Sequence, residues 1–513
     1  MISAAPDPSS THTRRDGLTS RDVLRVAALC AVALALRFYR LDWQGLWHDE
    51  AGSAAIARAP LAGFLDFFQH RTEPFELNPP VYYLLLRAWT SVVGTGDIGL
   101  RSLSAVAGAS AVPLAWRLGL RLFGRRAAFY GATLVAVSQL GVMFSQEARA
   151  YALVAPLWLI VCEAFVASRA HRSVRAWLVA TVAAVLMVGT HYYAALGVLA
   201  LALFTVLRWR AVPVRWVAGA AAAALASIGP WVYLTLPAQL AQAQAAAGHA
   251  YYAVQMAAPL TLLNRLNNGA LAGVLDPAPR WTFVAGAWLF VVPIVLFLAR
   301  TWRTADTPSR DAALFAVLAC GVPACGGIAA AWVAHVQYDV RYVAYAAAPY
   351  GVLAGAALAA LPHARLRQVA LGLAVVYSLI ALRANYALPY KEDYRGAIRF
   401  VDAHAAPSDC VAFAPFGVRP LQWPLYASRT NPTRVTLTSA ATDVAACPRL
   451  WLFTYTRVDV DTMTDWDAWR ASTLATWRRA STTDFFWVSV DEYVAPTQPI
   501  HNDAVMPMQD RHP

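Results

Sequence analysis

The stretch that decides the fold runs from Arg101 to Val166 and reads RSLSAVAGASAVPLAWRLGLRLFGRRAAFYGATLVAVSQLGVMFSQEARAYALVAPLWLIVCEAFV. It consists of apolar runs, each about as long as a membrane-spanning helix. A short arginine-rich turn separates the first two runs, and the sequence SQEARAY separates the second from the third. Long apolar runs joined by short polar turns are typical of polytopic membrane proteins, so the stretch predicts helices that cross a bilayer.

The whole chain has the composition of this stretch. Of its 513 residues, 58% are hydrophobic and 14% are charged, whereas soluble domains carry about 25% charged residues. The mean hydropathy is +0.44. This composition excludes a disordered chain, a fibrous repeat and a soluble enzyme, because soluble chains of this length divide into domains with polar surfaces.

The apolar runs predict a polytopic α-helical membrane protein with about eleven to thirteen transmembrane helices. A shorter apolar run at residues 80–93 fits a juxtamembrane or re-entrant helix, or it marks a further crossing nearby. The runs of spanning length cover residues 23–39, 102–122, 127–144, 150–167, 174–189, 194–207, 214–236, 281–298, 312–334, 342–361 and 366–382.

The cations indicate the topology. The formal net charge is +12, but the arginines form small clusters in every second loop, as expected for cytoplasmic loops, so we exclude nucleic acid as a partner. Residues 1–22 are then a cytoplasmic tail and residues 23–389 a multi-span membrane domain. The first outer loop covers residues 40–101, and residues 390–513 are predicted to form a small soluble extracytoplasmic α/β domain.

Strand-like and helix-like runs alternate in this last segment. The predicted strands cover residues 410–413, 434–438, 450–454 and 485–490, and the predicted helices cover residues 394–403 and 465–477. Cys410 and Cys447 could form a disulfide if the segment lies outside the cytoplasm. The sequence leaves both the paired and the free state open.

Carboxylates are scarce in the helical region, and none occurs between residues 164 and 275. Those present cluster on the predicted outer side, and an adjacent pair, Asp49 and Glu50, directly follows the first helix. An isolated pair of this kind is usually just solvated, but the flanking tryptophans and apolar helices favour an interfacial pocket. Glu147 and Arg149 lie at another outer helix boundary, where they could pair with each other or face an anionic ligand.

Two further motifs could line the same pocket. Asn78 precedes a Pro pair that sets the start of a helix, and Tyr82 and Tyr83 follow it. These tyrosines could line a polar cavity or belong to the aromatic belt. Arg341 and Tyr342 stand at the mouth of another predicted span, where the arginine could extend to lipid headgroups or bind a phosphate through its bidentate fork.

Together these motifs resemble the GT-C glycosyltransferases. The resemblance rests on the outer-loop Asp-Glu pair, on NPPVYY, RSLSAVAG, RLFGRR and QEARAY in this order, and more weakly on Arg341-Tyr342 and KEDYR at residues 391–395. The similarity is strongest to the bacterial branch related to dolichyl-phosphate-mannose protein mannosyltransferases and to the lipid A aminoarabinose transferase. Asn78 departs from the pattern, since many relatives have His there.

The resemblance implies transfer of a sugar, mannose-like or another hexose or pentose, with inversion. The donor would be a polyprenyl-phosphate carrier and the acceptor a lipid, glycan or protein. The site would lie on the periplasmic face of a bacterial inner membrane. By residue-to-residue correspondence, Asp49 is the catalytic base with Glu50 beside it and Glu147 is a second acidic position. Arg149 and Arg341 contact the phosphate.

The residue types fit this chemistry. A base must take the acceptor proton, and positive charge must stabilise the departing phosphate. We place Tyr151, Tyr342, Asn78, Tyr82 and Tyr83 with the substrate-binding residues. A divalent metal held by Asp49 and Glu147 is an open alternative; no other cofactor is expected.

Two other functions compete with this hypothesis. A transporter or flippase of lipid-linked sugars would carry midplane charges and internal repeats, which the sequence does not show. A polymerase or ligase of lipid-linked sugars would also use outer arginines, but it does not predict an Asp-Glu pair after the first helix.

Overall fold

The computed structural model describes most of the chain as two compact units. The first contains residues 1–43 and 52–390, and the second contains residues 44–51 and 391–513. The described residues are 18–69, 71, 76–171, 173–208, 214–245, 251–267, 280–336, 338–414, 421–428, 434–435, 444, 447–456 and 464–496. Most of the predicted tail 1–22 therefore lies outside them.

The first unit is helical. Three 3-10 helices (Leu61–Phe67, Tyr192–Ala194 and Val340–Ala346) and a π-helix (Ala287–Val291) interrupt or extend the α-helices in its described part. The α-helices, numbered α1 to α16 in chain order, are Ser20–Phe38, His48–Arg58, Val81–Val93, Asp97–Phe123, Arg125–Ala136, Gln139–Ser145, Tyr151–His171, Val174–Val188, Ala195–Leu207, Val214–Ala245, Tyr251–Leu266, Arg280–Gly286, Val292–Thr304, Thr307–Ala334, Ala347–Ala359 and Ala364–Ala387.

Each predicted apolar run coincides with helix, but fewer helices meet the length and composition of a span. Among the described residues, 7 helices do so, or 8 if α5 and α6, bent by 49°, are one span. The bend has a local cause: Ser138 starts a new helix by accepting a hydrogen bond from the Gly141 N–H. The run at residues 174–189 folds as a helix of 15 residues, and α1 carries four charged residues, so hydropathy alone overestimated the count. The short run at residues 80–93 forms the 13-residue helix α3.

Helices α5 and α15 pack closely through glycine. A Cβ atom added to Gly355 would lie 2.2 Å from the backbone nitrogen of Gly131. Small residues of this kind let helix backbones approach in a membrane, where lipid supplies no hydrophobic force between helices. This contact anchors α5, the helix that leads into the turn containing Arg149.

The second unit is a mixed α/β domain. Its sheet has the order β2-β1-β3-β5-β4, with β1 parallel to β2 and β3 and with β5 antiparallel to β3 and β4. The strands are Cys410–Ala414, Arg434–Val435, Arg449–Tyr455, Arg478–Phe485 and Val488–Val494, and the helices α17 to α19 are Tyr394–His404, Trp423–Tyr426 and Thr464–Thr473.

The disulfide between Cys410 and Cys447 is present, with the two Cα atoms 5.7 Å apart. One predicted strand was wrong. Residues 485–490 span a hairpin turn in which Trp487 has φ +59°, because β4 ends at Phe485 and β5 begins at Val488. Strand β4 was missed because its sequence, RRASTTDF, is polar and mostly exposed, so it shows no apolar alternation. The predicted helix 465–477 ends at Thr473, and residues 436–438 lie outside the described residues.

Candidate functional site

Arg149 is the centre of a buried polar cluster in the first unit. It lies in the turn between α6 and α7, and only 6% of it is exposed. Its Nη1 donates to Glu76 Oε2 at 2.8 Å, to the Tyr83 hydroxyl at 3.0 Å and to Ser53 Oγ at 3.3 Å. A buried guanidinium requires such a carboxylate partner, and the three contacts hold its plane in one orientation.

Glu76 organises this cluster, and sequence reasoning missed it as a site residue. Its Oε1 accepts hydrogen bonds from the backbone N–H of Asn78 at 2.9 Å and from Asn78 Nδ2 at 2.7 Å. Gln239 Nε2 donates to its backbone carbonyl at 2.9 Å. Asn78 therefore orients the carboxylate that orients Arg149. The available signal was an acid two residues before the Pro pair, but its partner lies 73 positions away.

Tyr82 and Tyr83 support Arg149 from two directions, and both are fully buried. The Tyr82 hydroxyl lies 3.0 Å from Ser104 Oγ, which in turn donates to the Arg149 carbonyl oxygen at 3.2 Å. Tyr82 thus braces the backbone of Arg149, while Tyr83 contacts its guanidinium.

Arg341 approaches the aromatic ring that Arg149 also approaches. The guanidinium carbons of Arg341 and Arg149 lie 6.0 Å and 5.9 Å from the centre of the Tyr151 ring, at the limit for a cation–π contact. Arg341 Nη2 pairs with Asp339 Oδ2 at 2.8 Å, with side-chain exposures of 24% and 36%. This partly exposed pair is weaker than the buried pair of Arg149 and Glu76.

His191 and Tyr342 line the same region. The His191 ring centre lies 5.6 Å from that of Tyr151 and 5.6 Å from that of Tyr342. Burial, followed by the charges of Arg149 and Arg341, lowers the pKa of His191 to about 3, so its imidazole is neutral at physiological pH. The structure buries this histidine in the cluster.

Glu147 and Arg265 are two further buried ionisable side chains of the first unit, one a carboxylate and the other a guanidinium. Glu147 is buried two residues before Arg149. Arg265 lies near the end of α11, where burial lowers its pKa to about 10 and the Asp339 carboxylate opposes this shift. Sequence reasoning missed Arg265 because it placed this residue in a long outer loop with no motif around it.

Asp49 and Glu50, in the second unit, have different surroundings. Glu50 Oε2 lies 3.0 Å from Lys391 Nζ, and the exposures of the two side chains are 0% and 3%. Asp49 is half-buried. The buried pair makes Glu50 a structural group, while Asp49 keeps access to solvent or substrate.

Glu392 is a further carboxyl near Asp49. Its own burial and then the Asp49 charge raise its pKa, while Tyr455 donates a hydrogen bond to its Oε1 at 3.3 Å. Sequence reasoning used Lys391 and Glu392 only as part of the KEDYR motif at residues 391–395.

The described residues do not supply a metal centre of the usual size. Within these ranges, no group of three or more His, Cys, Asp or Glu side chains comes together. Mg²⁺ usually keeps several waters and is held by one or two carboxylates together with substrate phosphates, so the metal at Asp49 and Glu147 stays a prediction. We assign no catalytic step to a metal.

The site geometry can now be set beside known proteins. Residues 77–234 match the family model described as dolichyl-phosphate-mannose-protein mannosyltransferase. The matched range contains Asn78, Tyr83, Glu147, Arg149 and His191. This match covers less than half of the chain, and it shows that these residues are similar to that family. No curated protein matches the chain in sequence.

Several solved structures share the fold of this chain. ArnT from Cupriavidus metallidurans bound to undecaprenyl phosphate aligns with a TM-score of 0.56 and 15% identity over 91% of this chain and 97% of that one. The apo state of the same protein aligns with a TM-score of 0.56 and 16% identity, over 94% of this chain and 100% of that one. The Archaeoglobus fulgidus oligosaccharyltransferase in complex with Zn and sulfate aligns with a TM-score of 0.52 and 12% identity, over 88% of this chain and 71% of that one. The predicted multi-pass membrane protein with a small C-terminal α/β region is thus confirmed.

The buried ion pair of Glu50 and Lys391 should stabilise the second unit. Glu50→Gln or Lys391→Met alone leaves one buried group without its counter-charge, which should cost about 3–5 kcal/mol. The double variant should recover most of this loss. Thermal unfolding of the four proteins measures the coupling, and additive losses would show that the pair does not stabilise the domain.

Proposed function

We propose that this protein is a GT-C glycosyltransferase. It moves a sugar, mannose-like or another hexose or pentose, from a polyprenyl-phosphate carrier to an extracytoplasmic acceptor with inversion. The observation that carries this proposal is the approach of Arg149 and Arg341 to the single ring of Tyr151. Two guanidiniums converging in this way suit a phosphate, because each can offer a bidentate fork. The ArnT structure bound to undecaprenyl phosphate supports a lipid carrier.

The two arginines have different roles in the proposal. Arg149 is held by a buried carboxylate, so its position is fixed before the donor binds. Arg341 is paired with Asp339 in a partly exposed contact, so the negatively charged donor phosphodiester can replace that carboxylate at low cost. Arg149 therefore positions the leaving group, and Arg341 stabilises the charge that develops on it.

Asp49 is the proposed general base. The acceptor oxygen forms a bond to the sugar C1 while the bond from C1 to the phosphate oxygen breaks. The acceptor proton passes to the Asp49 carboxylate, and the bonding electrons leave with polyprenyl phosphate. A single displacement of this kind inverts the anomeric configuration.

The remaining predicted residues complete the site. The rings of Tyr151 and Tyr342 can pack against the sugar or the first isoprene units, and Asn78, Tyr82 and Tyr83 keep Arg149 in place. Glu147 is proposed as a second acidic group near the donor phosphate. A divalent metal at Asp49 and Glu147 stays a proposal.

We place the site and the tail domain on the periplasmic side of a bacterial inner membrane. The disulfide of Cys410 and Cys447 supports an oxidising compartment. A cysteine in place of the exposed Ala480 on β4 should react with a membrane-impermeant maleimide in intact spheroplasts. A cysteine in place of the exposed Arg303, in the last turn of α13, should react only after permeabilisation. The reverse pattern would invert the topology.

The sugar and the acceptor can be identified in cells. Mass spectrometry of envelope lipids, glycans and proteins from a deletion strain should show one glycan-bearing species lost by a single sugar mass, and the full-length gene should restore it. An unchanged envelope together with an accumulated lipid-linked sugar on the cytoplasmic side would favour a flippase instead.

A further inference from the structure

A second polar region of the helical unit lies far from Arg149. Helix α4 connects the two regions: Ser104, near its start, contacts the Arg149 backbone, and its last residue, Phe123, is followed by Gly124 and the arginines that begin α5. From Ser104 to Arg125 the helix rises about 30 Å, which is about the thickness of the hydrocarbon core of a bilayer. The arginines at this end therefore lie at the opposite membrane surface.

A cavity opens between α1, α5 and α16 at this end. It encloses about 660 Å³, a volume typical of ligand pockets. Its polar wall consists of guanidinium groups, and its apolar wall comes from α5 and α16. The residues that define these walls are Arg25, Arg125, Arg126, Phe129, Leu371 and Val375.

The cavity has an excess of positive charge. Among the residues that line the described cavity, three are arginines and none is a carboxylate. Asp22, beside the cavity, lies 2.6 Å from Arg125 and 3.8 Å from Arg25. Its Oδ2 also accepts hydrogen bonds from Thr19.

The helix dipole worsens this imbalance. Arg125 and Arg126 are the first two residues of α5, whose first turn contains no acid and whose N-cap is Gly124. Cations are unfavourable at the positive end of a helix. Arg25 is held beside these residues, since its guanidinium carbon lies 5.7 Å from the centre of the Phe129 ring. A bound anion would relieve the repulsion among all three arginines.

We propose that this cavity binds the phosphate headgroup of an anionic phospholipid, such as a phosphatidylglycerol. Arginine forks match phosphate oxygens, and basic pockets between membrane helices at the inner surface suit such headgroups. Phe129, Leu371 and Val375 continue the cavity as an apolar wall along which an acyl chain can pack. This wall distinguishes a lipid from a soluble phosphate. The site is separate from the donor site and does not depend on the proposed function.

The test compares two double variants of equal charge. Arg25→Gln/Arg126→Gln removes two cavity arginines and keeps the pair of Arg125 with Asp22. Arg303→Gln/Arg365→Gln removes two exposed arginines from other loops on the same predicted side. Full-length proteins are purified and delipidated, and phosphatidylglycerol binding is measured by native mass spectrometry and by the rise in Tm.

The wild type and the Arg303/Arg365 variant should bind phosphatidylglycerol equally and prefer it to phosphatidylcholine. The cavity variant should bind it roughly 30-fold more weakly, since each arginine near an anionic headgroup contributes about a factor of five. If the cavity variant does not fold, Arg126→Gln alone should show about a fivefold loss.

Three results would overturn the proposal. One is equal affinity for phosphatidylglycerol in the cavity and control variants. Another is equal binding of phosphatidylcholine by the wild type. The third is a rise in Tm with inorganic phosphate that matches the rise with phosphatidylglycerol, because it would show a soluble anion site.

Discussion

Replacing Asp49 with Asn should lower the rate of sugar transfer by about 10²- to 10⁴-fold, the contribution expected of a positioned general base. The amide has nearly the same shape but cannot take the acceptor proton. Because Asp49 is half-buried and the buried partner of Lys391 is Glu50, the fold should stay intact. Transfer assays with purified protein, together with Tm and donor binding, measure the two effects separately.

Two control variants sharpen this prediction. Asp42→Asn changes an exposed acid in the same segment and should keep normal turnover. Glu50→Gln should lower Tm, while the fraction that remains folded should keep measurable activity. Normal turnover by the Asp49→Asn protein would rule out the base assignment, and equal losses in the Asp49 and Asp42 variants would point to the loop as a whole.

Replacing Arg149 with Lys should lower kcat by roughly 10²- to 10³-fold, the usual cost of losing one preorganised charge-stabilising group. A lysine can still pair with Glu76, so the buried carboxylate keeps a counter-charge. It cannot reproduce the planar fork that contacts Glu76, Tyr83 and Ser53 at fixed angles. The expected loss is therefore mainly in turnover, with a smaller fall in stability.

Inhibition by the product separates a phosphate contact from a purely structural role. Free polyprenyl phosphate should inhibit the Arg149→Lys protein at least about tenfold more weakly than the wild type, because one bidentate contact is lost. Arg117→Lys, at an exposed pair with Glu163, is the matched control and should change neither value. If Arg149→Lys lowers Tm but leaves kcat and inhibition unchanged, Arg149 only supports the fold.

Patterns along the chain predicted the helices well, and predicted three-dimensional contacts less well. Each apolar run of spanning length lies on a helix, because burial in lipid requires a continuous apolar segment. The arginines Arg149 and Arg341 were found through motifs at helix boundaries. Their carboxylate partners differ: Asp339 is adjacent in sequence to the Arg341 motif, whereas Glu76 lies 73 residues from Arg149 and no spacing rule connects them.

In the second unit, too, local sequence features were predicted better than contacts between residues that are distant in sequence. The sequence indicated that Cys410 and Cys447 could pair, but it could not decide between pairing and free thiols. It assigned Asp49 as the catalytic base and described Glu50 only as its neighbour. Their difference depends on Lys391, 341 residues from Glu50, and such an ion pair is visible only once the chain has folded. Strand β4 was missed since an exposed polar edge strand carries no hydrophobic signal.

The most direct test of the central claim is the fate of the donor. Purified protein in vesicles is given isotope-labelled sugars on polyprenyl phosphate, together with an envelope extract as the acceptor source. Wild-type protein should release free polyprenyl phosphate in proportion to labelled product with inverted anomeric configuration, and Asp49→Asn protein should release almost none. Donors that cross the bilayer intact without release of polyprenyl phosphate, or equal release by both proteins, would contradict the account.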